Sequence, residues 1–240
     1  MSFAMALPVA FVVSYLIGSL PFGVILARQI AGVDIRKLGS GNIGATNVGR
    51  VLGKKYFAIV LALDCLKGAL PTAGLPFLVS NSTSSADAER LHLAVLSGVA
   101  AILGHMFPCW LGFKGGKGVA TALGVVIVLA PLASAVAFAA FLLCFASVRI
   151  MSLSSIVGAC AFCGVEMWRL MPAPFSGPTW SLATFSTLVP LLIIARHRTN
   201  LVRLFRGEEP RFQFGKKESG VTDDRQPMTQ SRDDPSPPLA

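Results

Sequence analysis

The 240-residue chain has few charged residues. Only 14% of its residues are charged, whereas a soluble domain carries about 25%, and its mean hydropathy is +0.66. Long apolar stretches recur from residue 4 to residue 196 and leave no room for a separate soluble core. This composition excludes soluble, disordered and fibrous classes, and it predicts an all-α integral membrane protein.

Cysteine is also scarce, and its placement excludes a disulfide scaffold. The five cysteines lie in or at the ends of apolar stretches, where an odd number argues against a disulfide framework. Cys160 and Cys163 form a CxxC pair, but no second pair and no nearby histidine accompanies them. We therefore expect the cysteines to pack inside helices, and we expect no metal site.

Five apolar stretches have the roughly 20 residues that a membrane-spanning helix needs. They cover residues 4 to 27, 56 to 79, 91 to 111, 152 to 170 and 180 to 196. The run from 118 to 148 is too long for one upright helix and short for two, and Pro131 at its middle favours a break. The first stretch has no basic residue before its apolar core, so we expect a helix there instead of a cleaved signal peptide.

The lysines and arginines decide how many helices the run from 118 to 148 contains. If it is one span, the basic segments 28–55 and 196–217 fall on opposite sides of the membrane. If it is two helices, all 21 lysines and arginines except Arg90, Arg169 and Lys67 lie on one side. Basic loops mark the cytoplasmic side. The sequence therefore predicts about seven transmembrane helices, with the N-terminus outside and the C-terminus in the cytoplasm.

The net charge of +9 indicates an anionic partner. Because the basic residues lie in short loops between apolar spans, we expect membrane lipid or phosphate and no nucleic acid. The polar, proline-bearing end of the chain has the composition of a disordered segment. We therefore predict a polytopic membrane domain over residues 1–213 and a disordered cytoplasmic tail over residues 214–240.

Residues 39–50 form the first of three unusual cytoplasmic segments. Their glycine spacing matches a dinucleotide-binding fingerprint, but that fingerprint follows a strand, whereas this segment follows a membrane helix. Glycines let backbone N–H groups approach an anion, hydroxyl and amide groups add hydrogen bonds, and an arginine grips an oxyanion. A phosphate site is predicted, with the candidates Ser40, Gly41, Asn42, Gly44, Thr46, Asn47 and Arg50. A glycine-rich turn with solvated polar groups is the alternative.

Residues 104–121 form the second segment. It fails the Walker A pattern, because Gly118 stands where serine or threonine is required. A Lys-Gly-Gly-Lys-Gly loop before a helix still offers N–H groups and two ammonium groups to an anion. The candidates are His105, Lys114, Gly115, Gly116, Lys117 and Gly118. Membrane anchoring by the two lysines and a structural role for His105 are the alternatives.

Residues 196–209 form the third segment, directly after the last span. On a helix, His197 and Asn200 share one face, so an imidazole and an amide lie side by side next to the membrane. A basic amphipathic helix on anionic lipid is the alternative.

Asp64 and Lys67 lie one turn apart inside the second span. Charges within a membrane are costly and are paired or functional. We expect a structural pair, with a substrate role as the alternative.

The three segments together carry a family resemblance. SGNIGATNVGR, GHMFPCWLGFKGGKGVAT and RHRTNLVRLFRGEE, each after a membrane span, closely resemble the cytoplasmic motifs of the bacterial acyl-phosphate:glycerol-3-phosphate acyltransferases, the PlsY type. YLIGSLPFG and LDCLKG are also similar to that family, so the resemblance covers about residues 12 to 211. It implies transfer of a fatty acyl group from a long-chain acyl phosphate to the sn-1 hydroxyl of glycerol 3-phosphate. The products would be lysophosphatidic acid and phosphate, formed at the cytoplasmic face of the bacterial inner membrane.

The resemblance also implies roles for individual residues. Ser40 and Arg50 would be essential, the Lys-Gly-Gly-Lys-Gly loop would bind glycerol 3-phosphate, His197 and Asn200 would serve the reaction, and Glu209 would be structural. An acyl phosphate is already activated, so no metal or cofactor is expected.

Other activities fit the residues less well. Acyl-CoA-dependent enzymes resemble one another in a His-x4-Asp motif, and none of the three histidines is followed by aspartate at that spacing. An anion transporter would be expected to have discontinuous helices and charged groups near the midplane of the membrane. A lipid-binding scaffold would not need the glycine, serine and asparagine residues of the three segments. The general base, either His197 or a substrate phosphate, stays open, as do acyl-chain preference and oligomeric state.

Overall fold

The computed structural model describes residues 2–78 and 86–214, and all regular structure within them is helical. Its α-helices are α1 Phe3–Gly18, α2 Phe22–Ala31, α3 Ala45–Leu52, α4 Lys54–Gly74, α5 Ala86–Met106, α6 Val119–Leu129, α7 Pro131–Val148, α8 Met151–Arg169, α9 Trp180–Arg196 and α10 Arg198–Phe205. The predicted all-α architecture is confirmed.

Within residues 2–78 and 86–214, six segments are long and apolar enough to cross a membrane. They are Phe3–Ala31, Lys54–Leu78, Asp87–Leu111, Pro131–Val148, Met151–Arg169 and Gly177–Arg196. Helix α6 is apolar but has only 11 residues, about 16 Å of helix against a hydrocarbon core of about 30 Å. It is the short seventh member of the predicted set. The side of the membrane on which each terminus lies stays a prediction.

The predicted break in the run from 118 to 148 is confirmed. Ala130 leaves the helical region with φ −146°, and Pro131 becomes the first residue of α7. Proline is tolerated there because the first N–H of a helix has no intrahelical acceptor.

The first span contains a break that the sequence prediction of one helix over residues 4 to 27 misses. Helix α1 ends at Gly18 and α2 begins at Phe22, directly after Pro21. Gly18 and Gly104 allow α1 and α5 to cross with backbone nearly touching backbone, since a Cβ on either would collide with the other helix. The Tyr15 hydroxyl donates to the carbonyl of Phe107 at 2.7 Å. This crossing fixes the end of α5, from which the second segment starts.

Asp64 and Lys67 form the predicted pair inside α4. Their Oδ1 and Nζ atoms lie 2.7 Å apart, and both side chains are 2% exposed. Lys67 also donates to the carbonyl of Leu20, in the break between α1 and α2, at 2.8 Å. The pair therefore ties α4 to the kinked first span.

We expect Lys67→Met to lower the free energy of unfolding by about 3 kcal/mol, because it leaves Asp64 as a buried, uncompensated charge. The double variant Asp64→Asn/Lys67→Met should lose less than the single variant, since both charges are then gone. Chemical denaturation in detergent micelles measures both values. Equal stability of Lys67→Met and the wild type would contradict a structural role for the pair.

The predicted boundary between a membrane domain over residues 1–213 and a disordered tail over residues 214–240 stays a prediction. Phe214, placed in the disordered tail by the sequence, packs against Phe57 and Phe212 with ring centroids 5.5 and 4.9 Å away. The rest of the predicted tail, residues 215–240, lies outside the described residues.

Candidate active site

A cavity of about 830 Å³ lies where the three segments, residues 39–50, 104–121 and 196–209, meet. The predicted site residues that line it are Ser40, Gly41, Asn42, Gly44, Thr46, Asn47, Arg50, Asp64, His105, Gly115, Lys117, Gly118, His197, Asn200 and Glu209. Three others do not line it. Lys114 is exposed to solvent, Gly116 is buried against the ring of His105, and Lys67 lies within α4. The structure therefore brings together most of the residues chosen from sequence.

The cavity has a polar end and an apolar end. Residues of the three segments form the polar end, whereas residues spaced three or four apart on α6, α7, α8 and α9 form the apolar walls. On α8 this lining face runs from Ser152 through Ser155 and Ala159 to Phe162, a rise of about 15 Å along the helix. The buried ring of Phe162 packs edge-on against Phe185. A deep apolar channel thus opens into the polar site.

Asn47 holds the first segment in shape. Its side chain is fully buried, its Oδ1 accepts from the N–H of Ser40 at 2.8 Å, and its Nδ2 donates to the carbonyls of Ile35, Leu38 and Asn42. Gly39 has a φ of +56°, and a Cβ there would collide with Asn47. The Asn47 amide, predicted to bind phosphate, is instead occupied in positioning the Ser40 loop.

The remaining polar groups of the first segment surround the start and end of α3. Ser40 is exposed, Asn42 accepts from the N–H of Gly44 at 2.9 Å, and Arg50 lies half-buried in the last turn of α3. Ser40, Thr46 and Arg50 all line the cavity. Their side chains are therefore placed to meet an anion in it.

The glycine loop of the second segment uses its own N–H groups. Gly115 donates to the carbonyl of Met106 and Gly116 to that of His105, both at 3.1 Å. These N–H groups are therefore not available to an anion, contrary to the sequence expectation. The N–H groups of the first turn of α6 have no intrahelical acceptor. These N–H dipoles and the Lys117 ammonium are the groups of this segment that can stabilise a negative charge in the cavity.

Arg196 holds the glycine loop in place. Its Nη2 donates to the carbonyls of Gly115 and Gly116, at 3.3 and 2.8 Å, and its guanidinium lies 5.2 Å from the centre of the Phe107 ring. His105 is buried between this loop and Asp64, with 3.7 Å between its Nδ1 and Asp64 Oδ1. That distance is too long for a direct hydrogen bond.

A chain of hydrogen bonds joins the second segment to the third. The Lys117 ammonium donates to Oδ1 of Asn200, whose Nδ2 donates to Oε1 of Glu209 at 2.6 Å. Ser152 and Arg203 also donate to Glu209, at 2.7 and 2.8 Å. Burial raises the pKa of Glu209, but these hydrogen bonds outweigh burial and hold that pKa below its ordinary value. Glu209 is therefore a carboxylate that orients Asn200, and through it Lys117.

The pKa of Lys117 is lower than that of an ordinary lysine. Burial is the main cause, and with the charges of Arg203, Arg50 and Arg196 it outweighs Glu209 and lowers the pKa of Lys117 to about 8. Below that pH the ammonium form prevails. An anion in the cavity would raise this pKa by stabilising the charge.

His197 presents one defined ring nitrogen. It lies between α9 and α10, is 2% exposed, and its Nδ1 is 2.8 Å from the carbonyl of Ile193. A carbonyl only accepts, so Nδ1 carries the hydrogen and Nε2 of the neutral ring has a free lone pair. Burial and the charge of Lys117 lower the pKa of His197 to about 4. The ring is therefore neutral at pH 7 and able to accept a proton.

Several residues of the site escape the sequence prediction. Arg196 and Arg203 stand in the third segment but look like ordinary basic residues of a membrane-proximal helix, and Ser152 lies in an apolar span. Phe212 and Phe214 also line the cavity. No local pattern marks them, because their roles depend on contacts with distant parts of the chain. Within residues 2–78 and 86–214, no three His, Cys, Asp or Glu side chains are grouped so that they could hold a metal ion.

Known proteins are similar to this chain in sequence and in fold. The glycerol-3-phosphate acyltransferase family model matches residues 8–207. A glycerol-3-phosphate acyltransferase of Myxococcus xanthus (strain DK1622) is 46% identical over 198 residues, which are 82% of this chain and 95% of that protein. Another, from Synechococcus elongatus, is 43% identical over 199 residues, which are 82% of this chain and 90% of that protein.

The structural match agrees with the sequence match. The crystal structure of PlsY (YgiH), an integral membrane glycerol 3-phosphate acyltransferase, in its glycerol 3-phosphate form superposes with a TM-score of 0.74 at 37% identity. The match covers 86% of this chain and 96% of the PlsY chain. The resemblance carried by the three motifs is thereby confirmed. The chain belongs to the glycerol-3-phosphate acyltransferase family and is a membrane-embedded acyltransferase of the PlsY type.

Proposed function

We propose that this protein transfers a fatty acyl group from acyl phosphate to the sn-1 hydroxyl of glycerol 3-phosphate, giving lysophosphatidic acid and phosphate. The reaction takes place at the cytoplasmic face of the bacterial inner membrane. One observation carries the proposal, namely a continuous cavity with a cationic polar end and an apolar channel between membrane helices. A phosphorylated substrate with a long acyl chain has the same two parts.

The polar end suits a reaction between two phosphate compounds. Two phosphates with two negative charges each, about 6 Å apart, repel by roughly 10 kcal/mol at an effective dielectric near 20. Cations line the cavity, among them Arg50, Lys117, Arg196 and Arg203. Arg203 also donates to Glu209, and Arg196 donates to the glycine loop. This excess of cations lowers the repulsion between the substrates.

The apolar walls suit the acyl chain. Phe138, Phe141 and Phe145 of α7 face the cavity together with Ser155 and Ala159 of α8. Three of the four helices that form its walls, α7, α8 and α9, are long enough to span the membrane. The acyl chain would enter from the bilayer and place its activated carbonyl at the polar end.

The proposed chemistry needs no covalent intermediate. The glycerol hydroxyl attacks the acyl carbonyl carbon, the new ester C–O bond forms, and the bond between that carbon and the phosphate oxygen breaks. The phosphate leaves with the electron pair, and Arg50 and Lys117 stabilise its charge. The hydroxyl proton goes either to Nε2 of His197 or to a substrate phosphate oxygen. Ser40 would hydrogen-bond a substrate phosphate, and Asn200 would orient Lys117.

Purified protein in detergent tests the proposal when it is given labelled glycerol 3-phosphate with palmitoyl phosphate or palmitoyl-CoA. We expect lysophosphatidic acid from palmitoyl phosphate alone, without added metal. Product from palmitoyl-CoA alone would overturn the proposed donor. No product from either donor, with protein shown to be folded, would overturn the proposed reaction.

A further inference from the structure

The chain after α10 folds back over the cavity. The family-model match ends at residue 207 and the motif resemblance at about residue 211, so Phe212 and Phe214 lie beyond both. The N–H of Phe212 donates to the carbonyl of Arg149, in the connection between α7 and α8, at 2.6 Å. This bond fixes the backbone of the segment at the cytoplasmic end of α7.

The side chain of Phe212 fills the gap between two helices. It is 5% exposed, and its ring centroid lies 5.8 Å from Phe57 of α4 and 6.0 Å from Phe145 of α7. Phe214 packs edge-on against it. All four rings line the cavity. Phe212 therefore completes the cavity wall between α4 and α7.

The ring of Phe212 also contacts the arginine of the first segment. The Arg50 guanidinium carbon lies 5.8 Å from the ring centroid, which is within the range of a cation–π interaction. In the described part of the chain, no carboxylate lies within ion-pairing distance of Arg50. Glu209 attracts the guanidinium only from a greater distance, and the aromatic face is a direct contact that restrains where this cation sits.

We propose that Phe212 is a positioning residue, which holds the Arg50 guanidinium against the cavity wall in the orientation that meets a substrate phosphate. The inference deepens the proposed function and rests on it, because Arg50 is taken to bind phosphate. It assigns a role to a residue outside the family match. An aliphatic side chain of similar size would fill the gap but would offer Arg50 no aromatic face.

Four variants separate the aromatic face from simple packing. Phe212→Leu keeps an apolar side chain, Phe212→Tyr keeps the ring, and Arg50→Lys shows the effect of losing the guanidinium itself. Phe205→Leu, at a position 88% exposed on α10, is the matched control. For each variant, kcat and the KM of both substrates are measured in detergent, with thermal unfolding to verify the fold.

We expect Phe212→Leu to raise the KM of glycerol 3-phosphate or of acyl phosphate about fivefold, the scale of one cation–π contact. Phe212→Tyr should restore a value near that of the wild type, and Phe205→Leu should change neither KM. Unchanged KM values in Phe212→Leu, or a defect that tyrosine does not repair, would overturn the inference.

A chemical readout keeps this test separate from that of the reaction. Phenylglyoxal modifies arginine side chains, and mass spectrometry of the peptide that contains Arg50 gives the modification rate. We expect faster modification in Phe212→Leu than in the wild type and the tyrosine variant. If the wild type makes no lysophosphatidic acid, the proposed reaction fails, but the modification rates still test the positioning role. Equal modification rates of Arg50 in Phe212→Leu and in the wild type would overturn that role.

Discussion

The Lys117→Met variant is expected to lose roughly 100- to 1000-fold in kcat/KM, the range found when one donor is removed from a site that stabilises developing charge. Lys117 lines the polar end of the cavity and is held there by Asn200, which Glu209 orients in turn. Methionine keeps the unbranched apolar stem and removes the charge. The measurement is steady-state acyl transfer from palmitoyl phosphate.

The pKa of Lys117 adds a second signature to this prediction. Burial lowers that pKa to about 8, so the ammonium form is present below this pH and is lost above it. Because kcat/KM reports ionisations of the free enzyme, it should fall as the pH rises through about 8. The residual activity of Lys117→Met should show no such fall.

Lys114 offers the matched control for Lys117. It has the same side chain in the same glycine loop, but it is exposed and does not line the cavity. We expect Lys114→Met to stay within about twofold of the wild type, as surface substitutions do. If both variants lost activity equally, the loop as a whole and not the Lys117 ammonium would be responsible.

The sequence predicted those parts of the fold that depend on local chemistry. Pro131 marks the start of α7 because proline, which has no N–H to donate, fits the first turn of a helix best. Proline is not confined to that position here, since Pro8, Pro71 and Pro190 lie inside α1, α4 and α9. The three segments meet in one cavity because each follows an apolar span, and the spans return the chain to the same end of the helix bundle. Pro21 carries the same kind of signal as Pro131, yet the continuous apolar stretch around it concealed the break between α1 and α2.

The site itself was predicted as a set of residues more successfully than as a set of roles. Ser40, Arg50 and Lys117 line the cavity as expected. The side chain of Asn47 instead forms hydrogen bonds within the loop that it organises. The N–H groups of Gly115 and Gly116 are bound by carbonyls at the end of α5. Composition indicates which groups are suited to phosphate, whereas three-dimensional contacts decide which of those groups remain available.

Replacement of His197 by alanine is expected to lower kcat by about 100-fold or more, the contribution of a well-placed general base. The hydrogen bond from Nδ1 to the carbonyl of Ile193 leaves Nε2 free to accept a proton, and the fold places the ring in the cavity wall. The fold should survive the change, because His197 lies between two helices and contributes one side-chain hydrogen bond. Thermal unfolding of the variant in detergent verifies this.

The pH dependence distinguishes His197 from a substrate phosphate as the base. Burial lowers the pKa of His197 to about 4, so the neutral, proton-accepting ring is present above that pH and lost below it. In the complex, the negative substrate phosphates favour the imidazolium, so the acid limb of kcat should lie at a higher pH than that of kcat/KM. A phosphate monoester has its second pKa near 6, so a substrate phosphate acting as base gives a limb at about that pH.

We expect the acid limb of kcat to disappear in His197→Ala, because alanine has no group that titrates. The matched comparison is His92→Ala, which removes a histidine that hydrogen-bonds Ser181 on the side of the bundle away from the cavity. That variant should keep the wild-type profile. A small loss of rate in His197→Ala, with the limb near pH 6 unchanged, would instead assign the proton transfer to the substrate phosphate and leave His197 a part of the cavity wall.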